Sequence, residues 1–175
     1  EMSRLILLEV GDLVDIVFTG DDLGAQSGPQ ISPATYREVV KPRHARFFRQ
    51  IHEICPHAKV ALHSCGSIYL LLDDLIDAGV DVINPVQVRA KDMDPARLKR
   101  EYGGRLSFWG GIDSQDVLPN GSPDEVKYEV RRRILEMGSG GGYMLSAVHN
   151  VQPDVPVENL LAMFDAAREM GVYPI

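Results

Sequence analysis

Short β-branched or apolar runs recur at Val14–Phe18, Lys59–His63, Val80–Asn84, Leu106–Gly110 and Tyr143–Ala147, and longer stretches of helical period lie between them. This switching between strand and helix patterns predicts about five strand-helix units on a parallel sheet. Ser32-Pro33 and Asp94-Pro95 set a capping side chain ahead of a proline in the first helical position, and Ser122-Pro123-Asp124-Glu125 adds a capping box. Gly79, Gly138 and Gly171 each follow an apolar helical stretch and are expected to close it in the left-handed conformation. Arg4 to Val10 reads as the last turns of a helix ended by Gly11, so the chain is expected to start mid-domain. The helix from Pro33 to about Ile54 contains Pro42, which predicts a kink or two consecutive helices.

About five units are too few for a closed eight-stranded barrel, and an open doubly wound sheet also fits the alternation. The segments after the strands favour the barrel. Each carries polar or special residues: Gly20-Asp21-Asp22-Leu23-Gly24, Ser64-Cys65-Gly66, Asn84-Pro85-Val86-Gln87, Gly111-Ile112-Asp113 and His149-Asn150. Functional groups after every strand are what the upper face of a (β/α)8 barrel presents. No Pro/Ser-rich linker or internal repeat divides the chain, so residues 1–175 read as a single α/β domain.

The 175 residues are 45% apolar, enough for one sizeable core, and the formal charge is −7. Acids interleave with the basic residues, as in Arg97-Leu98-Lys99-Arg100-Glu101, which disfavours nucleic acid and points to a small-molecule substrate. No apolar run reaches the roughly 18 residues of a membrane span. The start, Glu1-Met2-Ser3-Arg4-Leu5, is too short in basic and apolar residues for a signal peptide. A cytoplasmic location is the resulting expectation.

The chain has two cysteines, too few for a disulfide framework. Cys55 precedes Pro56 at the end of an amphipathic helix and reads as a structural thiol. Cys65 lies two residues after His63 where a strand ends, and residues two apart in extended backbone point to the same side. Imidazole and thiolate together suit zinc, and His149, just beyond the last strand, is the best-placed third ligand. Two other readings of Cys65 stay open: a small buried hydrophobe, or a reactive thiol acidified by amide dipoles at a helix start near Gly66 and Ser67.

Asp21 and Asp22 fit a cation or proton site, or an ordinary turn. Asp113 follows Gly110-Gly111, which would let a ligand approach the backbone closely. Gly138 to Gly142 has the composition of a phosphate-cradling loop but lacks the Lys-Ser/Thr ending and precedes a strand, so it reads as a plain loop. His44, His52 and His57 fall on or after a helix and are assigned no chemistry. Tyr36, Tyr69 and Trp109 fit either a pocket lining or ordinary packing.

Gly20-Asp21-Asp22-Leu23-Gly24, His63-Ser64-Cys65-Gly66, Asn84-Pro85-Val86-Gln87, Trp109-Gly110-Gly111-Ile112-Asp113 and the run His149 to Pro156 together resemble the uroporphyrinogen decarboxylase superfamily. The resemblance spans Gly11 to Gly171. It implies the C-terminal portion of a TIM-type (β/α)8 barrel, with the N-terminal strands outside this sequence. Cobalamin-dependent methyltransferases of the superfamily bind zinc through a His-x-Cys pair and a later Cys, and use it to activate a thiol that takes a methyl group from a methylated corrinoid. His63 and Cys65 match that pair; the late loop Leu145-Ser146-Ala147-Val148-His149 offers His149 where the family has its later Cys.

The resemblance thus implies a metal set of His63, Cys65 and His149, with His149 and Asp22 catalytic. Asp21, Asn84, Gln87, Trp109 and Asp113 are the expected substrate contacts. Zinc, and methylcobalamin or a corrinoid protein as methyl donor, are the expected cofactor and partner, with a homo-oligomer as a further expectation. The true decarboxylases of the superfamily use no metal and also place a histidine in the late loop. They supply the alternative: decarboxylation of a porphyrinogen or related acid, with His149 a polar contact, Cys65 a bystander and Arg89 the nearest arginine for substrate carboxylates. A third expectation is a non-catalytic fragment or binding module that pairs through its unpaired strand edges.

Overall fold

The computed structural model describes residues 2–175. The elements, in order, are α1 (Met2–Val10), β1 (Ile16–Gly20), β2 (Gly24–Ala25), β3 (Gly28–Pro29), α2 (Pro33–Thr35), α3 (Lys41–Ile54), β4 (Lys59–His63), α4 (Leu72–Ala78), β5 (Val82–Val86), α5 (Pro95–Tyr102), β6 (Ser107–Ile112), α6 (Val117–Asn120), α7 (Pro123–Met137), β7 (Tyr143–Ala147) and α8 (Val157–Met170). The alternation is α/β, and the chain packs as two compact units, Glu1–Asn84 and Pro85–Ile175.

In the first unit β1, β4 and the start of β5 are parallel neighbours in chain order. Their register sets Gly20 beside His63 and His63 beside Asn84, so the ends of β1 and β4 stand level with each other and with Asn84 in β5. The core beneath them is built by Phe48 and Ile51 of α3, Val60 and Leu62 of β4, and Leu72 and Leu75 of α4, each essentially inaccessible to solvent. In the second unit β6 and β7 pair in parallel from Phe108↔Tyr143 to Ile112↔Ala147. Val126, Val130 and Ile134 of α7 face Ala162, Met163 and Ala166 of α8, one helical stripe against another.

The expected helix starts are present. Ser32 accepts from the Thr35 amide, Asp94 from that of Arg97, and Ser122 and Glu125 form the full capping box. Gly79 closes α4 at φ 107°, as expected. Gly138 and Gly171 instead keep negative φ, because their amides continue the helical pattern to Ile134 and Ala167. Gly11 does not stop α1 in a left-handed turn either. It opens a short 3-10 turn and lies directly against the Cys55 sulfur, where a β-carbon would collide.

The stretch around Pro42 divides into two consecutive α-helical segments, as expected. Residues Tyr36–Val40 form a π-helical turn between α2 and α3, and the Lys41 amide bonds back five residues to the Tyr36 carbonyl. A proline in the next position has no amide to give and its ring crowds the preceding turn, so the wider turn accommodates it. The first expected strand is shifted: Val14 and Asp15 precede β1, which runs on to Gly20. The third likewise begins at Val82 and runs to Val86, and the fourth at Ser107 and runs to Ile112.

Candidate functional site

In the first unit the end of β4 and the loop after β1 are locked together backbone to backbone. Gly66 sits at φ 81°, and a β-carbon there would come within 2.5 Å of the Gly24 carbonyl carbon and 2.7 Å of the Ala25 amide. The Ser67 amide donates to the Ala25 carbonyl at 2.8 Å, and the Leu23 amide donates to the buried Ser64 hydroxyl at 3.0 Å. The Asp21 amide donates to the His63 carbonyl at 2.9 Å. Glycines 24 and 66 are therefore there for mutual approach.

On this support His63 and Cys65 converge as their two-residue spacing predicts: Cys65 Sγ lies 3.4 Å from His63 Nε2. Behind the ring, Nδ1 of His63 stands 2.7 Å from Oδ1 of Asn84, which is buried. An amide oxygen only accepts, so Nδ1 carries the proton in the neutral ring and Nε2 presents its lone pair to the sulfur. Oδ1 of Asp22 accepts the Cys65 amide at 2.9 Å and lies 3.8 Å from His63 Nε2. Burial, with the neighbouring Asp22 charge and hydrogen bond, raises the Cys65 thiol above its ordinary pKa.

The helix start that the acidified-thiol reading of Cys65 relies on lies further along the chain: a 3-10 turn starts at Tyr69 and α4 only at Leu72. Cys55 is buried against Leu7 and Gly11, as a packing residue.

Asp21 points elsewhere. Its Oδ2 lies 3.1 Å from Nε2 of His44, whose Nδ1 lies 3.1 Å from the hydroxyl of fully buried Tyr36. Nothing in the local sequence marks this chain of contacts, since Asp21 and His44 are far apart in the chain and on different elements. His52 bonds Asp81 at 2.9 Å, tying α3 to the start of β5.

In the second unit Asp113 follows β6 and is buried. It accepts from Arg89 Nε and from the Gln115 amide, while Arg89 also donates through Nη2 to Asp116. The Asp113 amide donates to Glu129 at 2.9 Å; burial pushes that carboxyl above its ordinary pKa. Gln87 is half-buried and its amide nitrogen lies 3.4 Å from Gln115 Oε1; Trp109 is half-buried within β6.

Gly110 and Gly111 have φ of 130° and 89°. Their lack of side chains admits neighbouring protein: a β-carbon on Gly110 would meet the Val86 amide at 2.9 Å, and one on Gly111 the Tyr143 hydroxyl at 3.1 Å. Packing against neighbouring strands thus accounts for both glycines. His149 is exposed and holds φ 70°, a left-handed conformation that is uncommon outside glycine. The residue before it is fixed, with the Val148 amide bonded to the Ile112 carbonyl and the Val148 carbonyl accepting from Ser114.

Parallel strands with chemistry collected beyond their carboxyl ends define the TIM-type α/β class of enzyme fold. The uroporphyrinogen decarboxylase (URO-D) family model matches residues 10–170, and the chain belongs to that family. A methylated-thiol–coenzyme M methyltransferase from Methanosarcina mazei is 32% identical over 90% of this chain and 38% of its own length. A methylcobamide:CoM methyltransferase from Methanosarcina barkeri is 27% identical over 93% of this chain and 43% of its own, and a uroporphyrinogen decarboxylase from Thermus thermophilus 28% identical over 81% and 38%. The chain thus spans about two fifths of the length of the curated relatives it matches. A solved methyltransferase from Methanosarcina mazei superposes with a TM-score of 0.74 at 22% identity, covering 98% of this chain and 47% of that one, a likeness of fold. Among the described residues no helix is long and apolar enough to cross a membrane.

Proposed function

We propose that the chain carries the zinc-binding part of a methyltransferase in which His63, Cys65 and His149 hold the ion and a substrate thiol receives a methyl group from a corrinoid. The observation that carries this reading is the His63–Cys65 pair. Its 3.4 Å separation is close to the roughly 3.6 Å expected between nitrogen and sulfur ligands of one tetrahedral zinc. Asn84 behind His63 is the kind of outer partner that fixes the tautomer and aim of a ligating imidazole. Relatives named for methyl transfer to coenzyme M and from a methylcobamide support the thiol acceptor and the corrinoid donor.

Zinc, when bound, supplies the positive charge that keeps a bound thiol deprotonated and nucleophilic at neutral pH. His63 contributes a neutral nitrogen and Cys65 a sulfur that must surrender its proton on metal uptake. Asp22 holds the Cys65 amide and so fixes the turn that aims the sulfur. His149 supplies the third side chain in this proposal, and its left-handed backbone is the kind of outlier that marks functional positions. Asp21, Gln87, Trp109 and Asp113 are assigned to the substrate side.

Decarboxylases share the family, so membership alone does not choose the reaction. Arg89 weighs against a polycarboxylate substrate, because Asp113 and Asp116 already take its charge. The test is zinc content per chain in the purified full-length protein, in wild type, Cys65→Ser and Cys55→Ala. About one zinc, lost only in Cys65→Ser, supports the reading and directs assays to methylcobalamin and coenzyme M. A wild type without zinc removes it and moves attention to metal-free chemistry at His149.

A further inference from the structure

We propose that His44, backed by Tyr36, is a positioning residue of this site: it clamps one oxygen of the Asp21 carboxylate and thereby presents the other to the thiol substrate. The inference rests on the reading above, in which Asp21 faces substrate. The two adjacent aspartates divide their work, since Asp22 holds the Cys65 amide while Asp21 turns to His44.

The hydrogen-bond directions are fixed by chemistry. A carboxylate only accepts, so His44 Nε2 carries a proton and donates to Asp21 Oδ2 at 3.1 Å. The neutral ring then accepts at Nδ1 from the Tyr36 hydroxyl, also at 3.1 Å. Burial, then the Asp74 and Asp21 charges, raise the Tyr36 hydroxyl well above its ordinary pKa, which keeps that proton in place.

The line is rigid where a surface pair would be loose. Tyr36 is fully buried, the His44 side chain is only 13% exposed, and its ring packs 5.1 Å from that of Phe48. The Asp21 side chain is 49% exposed, and its Oδ1 is not used by His44. A fixed carboxylate on a half-exposed side chain suits the S–H of the incoming thiol, the donor that group carries before the metal takes it up.

The π-helical turn explains how Tyr36 reaches His44. Eight residues of regular α-helix would set the two side chains roughly 80° apart around the axis, whereas a turn that absorbs one extra residue leaves them within about 20°. The turn induced ahead of Pro42 therefore brings Tyr36 and His44 to one face.

The test is a double-mutant cycle in the zinc-loaded full-length protein, with methylcobalamin as donor and coenzyme M as acceptor. His44→Phe keeps the ring packing and removes both hydrogen bonds. It should lower kcat/KM for the thiol about tenfold, leave zinc content unchanged, and be partly rescued by His44→Gln, whose amide still donates. In an Asp21→Ala background the same change should cost nothing further. Equal losses in both backgrounds, or no loss in either, overturn the proposal. If the wild type binds no zinc or transfers no methyl group, the preceding reading fails on its own, and His44 is then read by ¹⁵N resonance of its ring. A hydrogen-bonded Nε2–H that disappears in Asp21→Ala is expected; an Nδ1–H tautomer overturns the clamp.

Discussion

Replacing Asn84 with alanine isolates the outer partner of the proposed metal pair. The side chain is buried and its 2.7 Å contact is to His63 Nδ1, while the Asn84 carbonyl, which accepts the Ser64 amide at 2.6 Å, is backbone and survives the change. Strand register and the Ser64 anchor should therefore persist. What is lost includes the buried hydrogen bond to His63, worth about 1 kcal/mol, together with its constraint on the tautomer and rotation of that ring. Outer-shell truncations of this kind cost about 10–100-fold in metal affinity, and the middle of that range, roughly 30-fold or about 2 kcal/mol, is the expected loss. Competition against a chromogenic zinc chelator at fixed pH would measure it. Asn84→Asp, which puts a full negative charge behind the ring, should bind at least as tightly as wild type. If Asn84→Ala binds zinc within twofold of wild type while Cys65→Ser binds none, Asn84 does not orient the ligand and the argument from its hydrogen bond is refuted.

Other expectations follow from the same geometry. In metal-stripped protein the raised Cys65 thiol should be alkylated by iodoacetamide only at alkaline pH; Asp22→Asn should shift the midpoint of the rate profile downward, because removing a nearby anion favours the thiolate, while buried Cys55 stays unreacted in the folded state. His149→Asn keeps a residue that tolerates the left-handed backbone, so calorimetry should find the melting temperature within about 2 °C of wild type, with zinc content reduced if the imidazole is a ligand. Asp74 is buried against Lys41 and Arg37; desolvation opposes its charge, yet the bonds and charges of those two cations hold its carboxyl below the usual range. Its folded pKa is depressed, so its contribution is present above the unfolded value near pH 4 and lost as pH falls through the folded one. Urea titration of Asp74→Asn should accordingly show a loss of about 1–3 kcal/mol at pH 7, discounted for the exposure of Arg37, that shrinks below pH 4.

The parts of the fold that local chemistry decides were legible in the chain. Proline-led caps at Ser32, Asp94 and Ser122 depend on residues within one turn, and β4 and β7 have the limits that their apolar runs predict. The convergence of His63 and Cys65 is likewise local, a property of alternate residues in extended backbone. The rest depended on partners distant in sequence. Gly138 and Gly171 look like Gly79 in a sequence, and only the direction taken by the following chain separates them. Gly110 and Gly111 read as room for a ligand because the Val86 backbone and the Tyr143 ring that need the space lie on other strands. His44 showed no signal of its own, since its meaning comes from Asp21 after β1 and Tyr36 across a π-helical turn that periodicity does not reveal.

The close seating of Gly24 against Gly66 bears on how this chemistry could be transplanted. Two loops with no room between them for even a methyl group behave as a single replaceable cassette: moving His63–Ser67 into another barrel without Gly20–Ala25 would bring the two side chains but not the surface that shapes their turn. An engineer seeking this nitrogen-sulfur pair elsewhere should graft both segments at once and choose a host whose two corresponding strand ends stand level, as Gly20 and His63 do, with an asparagine beside the histidine on the next strand.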